Sequence, residues 1–193
     1  MSQSKVRARH DRRTEKLRSL IKRYGSNQTG STMVEFALVA APFLVLLVGL
    51  LEVCLIFIVT TTLEHGAAEA SRQIRTGELQ NAGASSEAFK TIVCENTFGL
   101  LDCGERLMVD VRVFDDFGNT SGGDPLKDGE VDEDNLQFDA GSGSDIVLAR
   151  VFYEWNIITP VIGTPLSNMN GNKRLLQASV AFRNEPFTLD SGS

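Results

Sequence analysis

The feature that most constrains this chain is an apolar run from Ala37 to Val59, in which Glu52 is the only charged residue. At 1.5 Å per residue, a helix over these positions is about 35 Å long. That length is sufficient to cross a hydrocarbon core of about 30 Å. The sequence therefore predicts one transmembrane helix, around which the remaining elements have to be arranged.

Charged residues are distributed unevenly around this run. Residues 1–30 hold nine Lys or Arg and two acidic residues, whereas residues 31–193 hold ten Lys or Arg and 23 acidic residues. Basic residues next to one end of a membrane helix keep that end in the cytoplasm. We therefore expect a single-pass protein of the bacterial inner membrane, with its N-terminus cytoplasmic and its C-terminal part extracytoplasmic.

The acidic balance of residues 31–193 also bears on partners. Phosphate backbones repel an acidic surface, so we expect no nucleic-acid partner. The basic leader, residues 1–30, could bind nucleic acid or anionic lipid, although a topology signal explains its charge more simply. Membrane lipid is the partner expected for the apolar run.

The helix is expected to continue beyond the membrane, because an apolar stripe with spacings of four, three and four follows the run. The stripe consists of Leu63, Ala67, Ala70 and Ile74. Gly77 is a suitable C-terminal stop. The sequence thus predicts one helix from about Met33 to Thr76, half in lipid and half projecting.

Further elements are expected downstream. A second helix is predicted over Ser86–Asn96, with Ser85 or Ser86 as its cap. Three strand candidates follow, recognised by alternation or by β-branched and aromatic residues. They are Leu107–Phe114, Ile146–Ile158 and Leu175–Phe182. The predicted fold class is α+β and pilin-like: a long N-terminal helix, transmembrane and then projecting, packed on a small antiparallel sheet.

An acidic segment, residues 115–145, separates the first two strand candidates. It holds ten carboxylates, six glycines and one Lys. With few apolar side chains, it is expected to be a solvated, flexible loop. A calcium loop is the alternative, since clustered oxygens suit a hard cation. The spacing of an EF-hand is missing, however, and we predict neither a metal site nor a cofactor.

The three cysteines fall in two environments. Cys54 lies in the apolar run and is best explained as a small membrane hydrophobe. Cys94 and Cys103 lie in the exported part, where oxidation is permitted, so a disulfide between them is expected. Zinc is the alternative, but it needs two further ligands. The only histidines of the chain are His10 and His65.

A short motif precedes the apolar run: Gly30-Ser31-Thr32-Met33-Val34-Glu35-Phe36. The residues before it, Tyr24–Gly30, are turn-formers that are expected to be unfolded and accessible. A glycine after a basic leader, with a carboxylate five residues later at the mouth of a membrane helix, is the pattern that a type IV prepilin peptidase cleaves. Cleavage after Gly30 makes Ser31 the new N-terminus and Glu35 the fifth residue.

Glu35 is costly next to hydrocarbon, by roughly 2–3 kcal/mol if it lay at the bilayer centre. A cation lowers that cost, and the freed amine of Ser31 on a neighbouring subunit is the obvious candidate. Glu35 would then set the register between stacked helices. The alternative is an interfacial glutamate that only marks the end of the span.

The segment Gly30–Leu38 resembles the TadE-like family of tight-adherence (Flp) pilus proteins. Family members typically carry a small residue after the glycine, a Val-Glu-Phe-Ala core, an early proline in the span and a later acidic residue. This chain has them as Ser31, Val34–Ala37, Pro42 and Glu52. The closing Arg183-Asn184-Glu185-Pro186-Phe187 also resembles the tail of many relatives, whereas Met33 is larger than the alanine common there.

The resemblance implies a pseudopilin or minor pilin that takes part in assembly of a tight-adherence (Flp, type IVb-like) pilus. Its implied partners are a prepilin peptidase, other pilins or pseudopilins, and the pilus assembly platform. Helix-assembly contacts are then expected at Glu35, Phe36, Pro42 and Glu52.

Glu52 and Pro42 carry further expectations. Glu52 follows Glu35 by seventeen positions, which rotates it roughly 100° away on a helix, so the two carboxylates cannot form a catalytic pair. Glu52 is expected to hydrogen-bond a neighbouring helix in the membrane or to be protonated near the outer interface. Pro42 removes one backbone hydrogen bond and could kink or loosen the span.

The predicted organisation has three parts. Residues 1–30 are a cleaved cytoplasmic leader, residues 31–62 the transmembrane helix, and residues 63–193 an extracytoplasmic α+β domain with the acidic loop 115–145. An alternative is a secreted or membrane-anchored periplasmic protein unrelated to pili, since Ala68-Glu69-Ala70 superficially fits a signal-peptidase site. The apolar run is, however, far longer than a signal core of about 7–15 residues.

A membrane-anchored enzyme is the third function class. After processing, His65 is the only histidine left, so it alone could supply the base of a Ser-His-Asp or Cys-His arrangement. We therefore expect no enzyme activity and no catalytic residues.

Overall fold

The computed structural model describes residues 28–159 and 163–188 of the 193-residue chain. Expectations for residues 1–27 lie outside the described residues. The chain forms two compact units, Met1–Leu47 and Val48–Ser193.

Helix α1 runs from Gln28 to Arg75 and confirms the single long N-terminal helix. It ends where predicted, because Gly77 adopts a φ of 82° and its N–H donates to the carbonyl oxygen of Ile74 at 3.0 Å. The expectation that Tyr24–Gly30 are unfolded is wrong for Gln28–Gly30, which lie in α1, whereas residues 24–27 lie outside the described residues. A terminal glycine costs a helix only about 1 kcal/mol, which the adjoining apolar run offsets.

Two short helices follow α1. Helix α2 spans Glu78–Asn81 and helix α3 spans Ser86–Glu95. The Ser85 hydroxyl oxygen accepts a hydrogen bond from the Ala88 N–H at 3.2 Å, which confirms Ser85 as the cap of α3. In the first turn of α3, hydrogen bonds from its own backbone N–H and from the Ser86 side chain lower the pKa of the exposed Glu87.

Helix α3 packs closely on α1 at Gly66. A Cβ atom added to Gly66 would lie 2.8 Å from the carbonyl oxygen of Val93, so any side chain at Gly66 would force the two helices apart. Phe89 and Val93 of α3 are fully buried in the resulting contact.

The strands form one three-stranded antiparallel sheet in the order β1-β4-β5. Strand β1 is Leu107–Phe114, β2 is Leu126–Lys127, β3 is Glu130–Val131, β4 is Ile146–Asn156 and β5 is Lys173–Arg183. Strands β2 and β3 pair separately, and a short helix, α4 (Gly163–Leu166), precedes β5. The predicted α+β fold with a small antiparallel sheet is therefore confirmed.

The sheet is covered on both faces. Alternate residues of the strands, such as Val109, Val151 and Ala178, point to one face and join the buried stripe of α1 in the larger core. The intervening residues, such as Met108 and Phe152, form a smaller core on the opposite face. The period of two along each strand thus supplies apolar side chains to both layers.

The acidic segment 115–145 covers that second face, and it is more regular than its composition suggests. It contains β2, β3 and two 3-10 turns, Phe117–Asn119 and Glu133–Asn135. Three of its apolar side chains, Leu126, Val131 and Leu136, pack against the smaller core. The segment does not form this core alone, because the buried residues of the cluster come from the strands and from Met169. Flexibility of the segment stays a prediction.

Cys94 and Cys103 form a disulfide with a Cα–Cα distance of 6.0 Å. It joins the last turn of α3 to the chain that leads into β1, and both residues pack against the larger core. The predicted disulfide is thus present. Cys54 is a free thiol on the exposed side of α1.

Candidate functional site

The predicted processing site lies in the first turns of α1. Gly30 is exposed, and a Cβ atom added there would meet nothing within 4 Å.

Glu35 is exposed one turn further along. Its Oε1 accepts a hydrogen bond from the Ser31 hydroxyl at 3.1 Å. Among the residues that the structure describes, no Lys, Arg or His forms an ion pair with Glu35.

The α1 surface after Glu35 is apolar and exposed. Met33 and Phe36 are 78% and 73% exposed, and most large apolar residues up to Leu51 are exposed as well. The helix segment Gly30–Arg75 has a mean hydropathy of 2.9 in its most apolar window, and it is long and apolar enough to cross a membrane. Pro42 lies within this helix, and Phe36 faces outward.

Glu52, by contrast, is only 3% exposed. Its carboxylate accepts hydrogen bonds from the indole N–H of Trp155 at 3.1 Å, the backbone N–H of Ile158 at 3.2 Å, and the backbone N–H of Thr159 at 3.2 Å. The Thr159 hydroxyl donates a further bond of 3.0 Å. All four groups donate to the two oxygens of the carboxylate.

This arrangement gives Glu52 a partner that the sequence did not reveal. The chain at the end of β4 folds against α1 and surrounds the carboxylate, so Glu52 needs no second helix to satisfy it. The predicted contact between Glu52 and a neighbouring helix therefore stays a prediction. Both oxygens of the Glu52 carboxylate already accept hydrogen bonds within the chain. A carboxylate alone in an apolar helix signals that donors must come from elsewhere, but it does not say where they are.

A second buried carboxylate, Asp110 of β1, joins the sheet to the acidic segment. It is fully buried and accepts bonds from Arg150 at 2.6 Å and from Arg112 at 2.8 Å. Arg150 also donates to the carbonyl oxygens of Gly122 and Gly123. This cluster binds the acidic segment to β4, and it explains why a charged residue occupies the inside of a covered strand.

The C-terminal residues close the end of α1. Asn184 is buried, and its amide donates to the carbonyl oxygens of Ala140 and Ser142. The backbone N–H of Glu185 donates to the Arg75 carbonyl oxygen at 2.9 Å. The ring of Phe187 lies so close to Gly77 that a Cβ atom there would approach it to 2.8 Å.

Metal binding finds no obvious place in the described residues. Residues 28–159 and 163–188 contain no group of three or more His, Cys, Asp or Glu side chains arranged to hold an ion.

His65 stacks on Phe98 with ring centroids 6.0 Å apart.

A long apolar helix whose far half packs on a small antiparallel sheet defines the pilin-like α+β class of fold predicted from the sequence. Residues 30–72 match the model of a family described as TadE-like protein, so this segment is TadE-like and the resemblance is confirmed. The match covers less than a quarter of the chain and ends before α3 and the sheet. TadE-like proteins are a pilus-associated structural family and not an enzyme family. Neither the curated proteins nor the solved structures include a match to the chain.

Proposed function

We propose that this protein is a pseudopilin or minor pilin that takes part in assembly of a tight-adherence pilus, and that a prepilin peptidase processes it after Gly30. The observation that carries the proposal is the start of the TadE-like segment: an exposed Gly30, followed by an exposed Glu35 that pairs with no cation of residues 28–159 or 163–188, at the head of an apolar helix.

The exposed apolar surface of α1 supports anchorage in the inner membrane. A helix that keeps most of its large apolar side chains exposed is unstable in water, because each one buried gains roughly 1.5–3 kcal/mol. The nine basic residues of the leader favour a cytoplasmic N-terminus. The sheet domain, which carries a disulfide, then lies on the extracytoplasmic side, where disulfides persist.

Cleavage creates a positively charged group that can pair with Glu35. The amine of Ser31 becomes free, and a second subunit placed beside the first can bring this cation to Glu35 within an apolar environment. An ion pair is much stronger there than in water, so it can fix the register between helices. Other pilins or pseudopilins and the assembly platform are therefore the proposed partners.

A protein released by cleavage near Ala70 is less compatible with the structure. Ala67 and Ala70 lie fully buried in α1, and Leu63 belongs to the same core. Cleavage after Ala70 would remove all three of these side chains from the core, together with the chain before them. The sheet would lose much of the helix that covers it.

The test is the N-terminal sequence of protein purified from membranes that contain the peptidase. We expect Ser31 as the first residue of the wild type and an intact leader in Gly30→Leu. Thr32→Ala is the matched control and should be processed normally. Wild-type protein that begins at Met1 in cells with active peptidase, or at Ser71, would overturn the proposal.

A further inference from the structure

The side of α1 that faces away from the sheet is apolar on both sides of Glu52 in the sequence. Its exposed large apolar residues are Leu50 and Leu51 before Glu52, and Val53, Leu55, Phe57 and Ile58 after it. Three threonines follow at positions 60–62, and their hydroxyls donate to the carbonyl oxygens of Ile56 and Ile58. The apolar surface therefore ends about one and a half turns after Glu52, at a level where the chain has already folded back onto the opposite side.

Ile158, on the domain, is a further exposed apolar residue at the level of Glu52 along α1. Its side chain is 67% exposed, although its backbone N–H is bonded to the buried Glu52 carboxylate. Beside it, Trp155 is half-buried and gives its indole N–H to the same carboxylate. Tryptophan is enriched where one side of a protein is apolar and the other is wet, as at a membrane interface.

From this shared level along α1 we propose that residues Trp155–Thr159, here named the interfacial segment, lie at the outer boundary between hydrocarbon and headgroups, where lipid covers Ile158 and the exposed side of α1 up to Ile58. The proposal rests on the proposed function in one respect only: α1 has to be a membrane anchor. Lipid is the occupant because the exposed apolar side chains of α1 run on from the predicted span to Ile58 and are followed by three threonines.

The lengths agree with this placement. Residues 36–52, which follow Glu35 at the inner mouth of the span, form about 25 Å of helix, a little less than a hydrocarbon core of about 30 Å. Residues 53–58 add about 9 Å and carry the apolar surface to the outer edge of that core. Glu52 then lies near the outer edge of the hydrocarbon, and its four donors reduce the penalty of placing a carboxylate there.

Trp155 is the only tryptophan of the chain, so its fluorescence reports on the interfacial segment directly. The experiment uses the full chain in phosphatidylcholine vesicles whose acyl chains carry bromine either near the headgroup or near the chain end. We expect shallow bromines to quench Trp155 more strongly than deep ones, and aqueous iodide to quench it weakly.

A matched pair of variants tests the role of Ile158. Ile158→Asn should lose part of the quenching by shallow bromines and gain quenching by iodide. Phe98→Asn is the control, since Phe98 is equally apolar and 77% exposed but stacks on His65, about 20 Å further along α1. It should leave both quenching values unchanged, and asparagine tolerates the φ of 54° at this position.

Two results would overturn the proposed placement of the interfacial segment at the membrane while leaving the proposed function intact. One is strong quenching by iodide with none by either bromolipid, in protein that resists extraction with alkaline carbonate. The other is shielding from iodide that disappears when the protein is diluted with lipid, because a neighbouring copy would then be the occupant. Release of the protein by carbonate would contradict the membrane anchor itself, whereas a failure of cleavage at Gly30 would leave the interfacial segment supported.

Discussion

The indole N–H of Trp155 donates a 3.1 Å hydrogen bond to Glu52, a residue 103 positions earlier in the chain. Together with the Ile158 and Thr159 donors, this bond attaches the chain after β4 to the carboxylate of an otherwise apolar part of α1.

Glu52→Ala should lower the free energy of unfolding of the domain by about 2–3 kcal/mol, because it leaves the indole, two backbone N–H groups and a hydroxyl without their acceptor. Glu52→Gln retains one accepting oxygen and should lose less. Thermal unfolding in detergent, followed by Trp155 fluorescence, measures both. Glu35→Gln is the control, and an equal loss of stability in that variant would show that the Glu52 contacts carry no special weight.

Glu35→Gln should be cleaved after Gly30 as efficiently as the wild type but should fail to support pilus assembly. The change removes the charge at an exposed position that contacts only the Ser31 hydroxyl within the described chain, so neither the fold nor the scissile bond is disturbed. N-terminal sequencing and pilus counts on complemented cells give the two readouts. Parallel loss of cleavage and assembly would contradict the separate roles of Gly30 and Glu35.

Replacing both Cys94 and Cys103 by serine should lower the free energy of unfolding by about 2–3 kcal/mol, since the disulfide restricts the unfolded chain. A reducing agent should destabilise the wild type by the same amount and leave the double variant unaffected. Cleavage after Gly30 should not change. Cys54→Ser is the control, because that thiol is free and exposed, and it should unfold like the wild type.

Arg150→Met should lower the free energy of unfolding by about 3–5 kcal/mol, because it leaves the fully buried Asp110 with one arginine fewer. It also removes the donors that hold Gly122 and Gly123, so hydrogen exchange should accelerate in residues 115–145. The double variant Asp110→Leu with Arg150→Met should recover part of the lost stability. Unchanged exchange in that segment would mean that other contacts hold it in place.

Much of the fold followed from local patterns. The apolar stripe from Leu63 to Ile74 and the stop at Gly77 predicted the end of α1, and the serine before an amphipathic stretch predicted the cap of α3. The strands appeared within two residues of their predicted bounds because their alternation and β-branched content act locally. The disulfide followed from the exported location of its two cysteines.

Long-range pairings were not predictable in the same way. Nothing near Glu52 in the sequence points to Trp155 or Thr159, because their proximity depends on how β4 is placed in the sheet. Asp110 gave the same difficulty: local alternation in β1 does not name Arg150 as its partner, and the fold of residues 115–145 contributes to its burial. A charge in a strand or membrane helix therefore predicts that a partner exists, without identifying it.

The contact between Phe187 and Gly77 has a practical consequence for handling the protein. A purification tag or fluorescent fusion added after residue 188 leaves this ring seated on the end of α1. A chain shortened to Arg183 would instead lose Asn184 and Phe187 together, and the junction between the helix end and the Ala140–Ser142 turn would be opened to water.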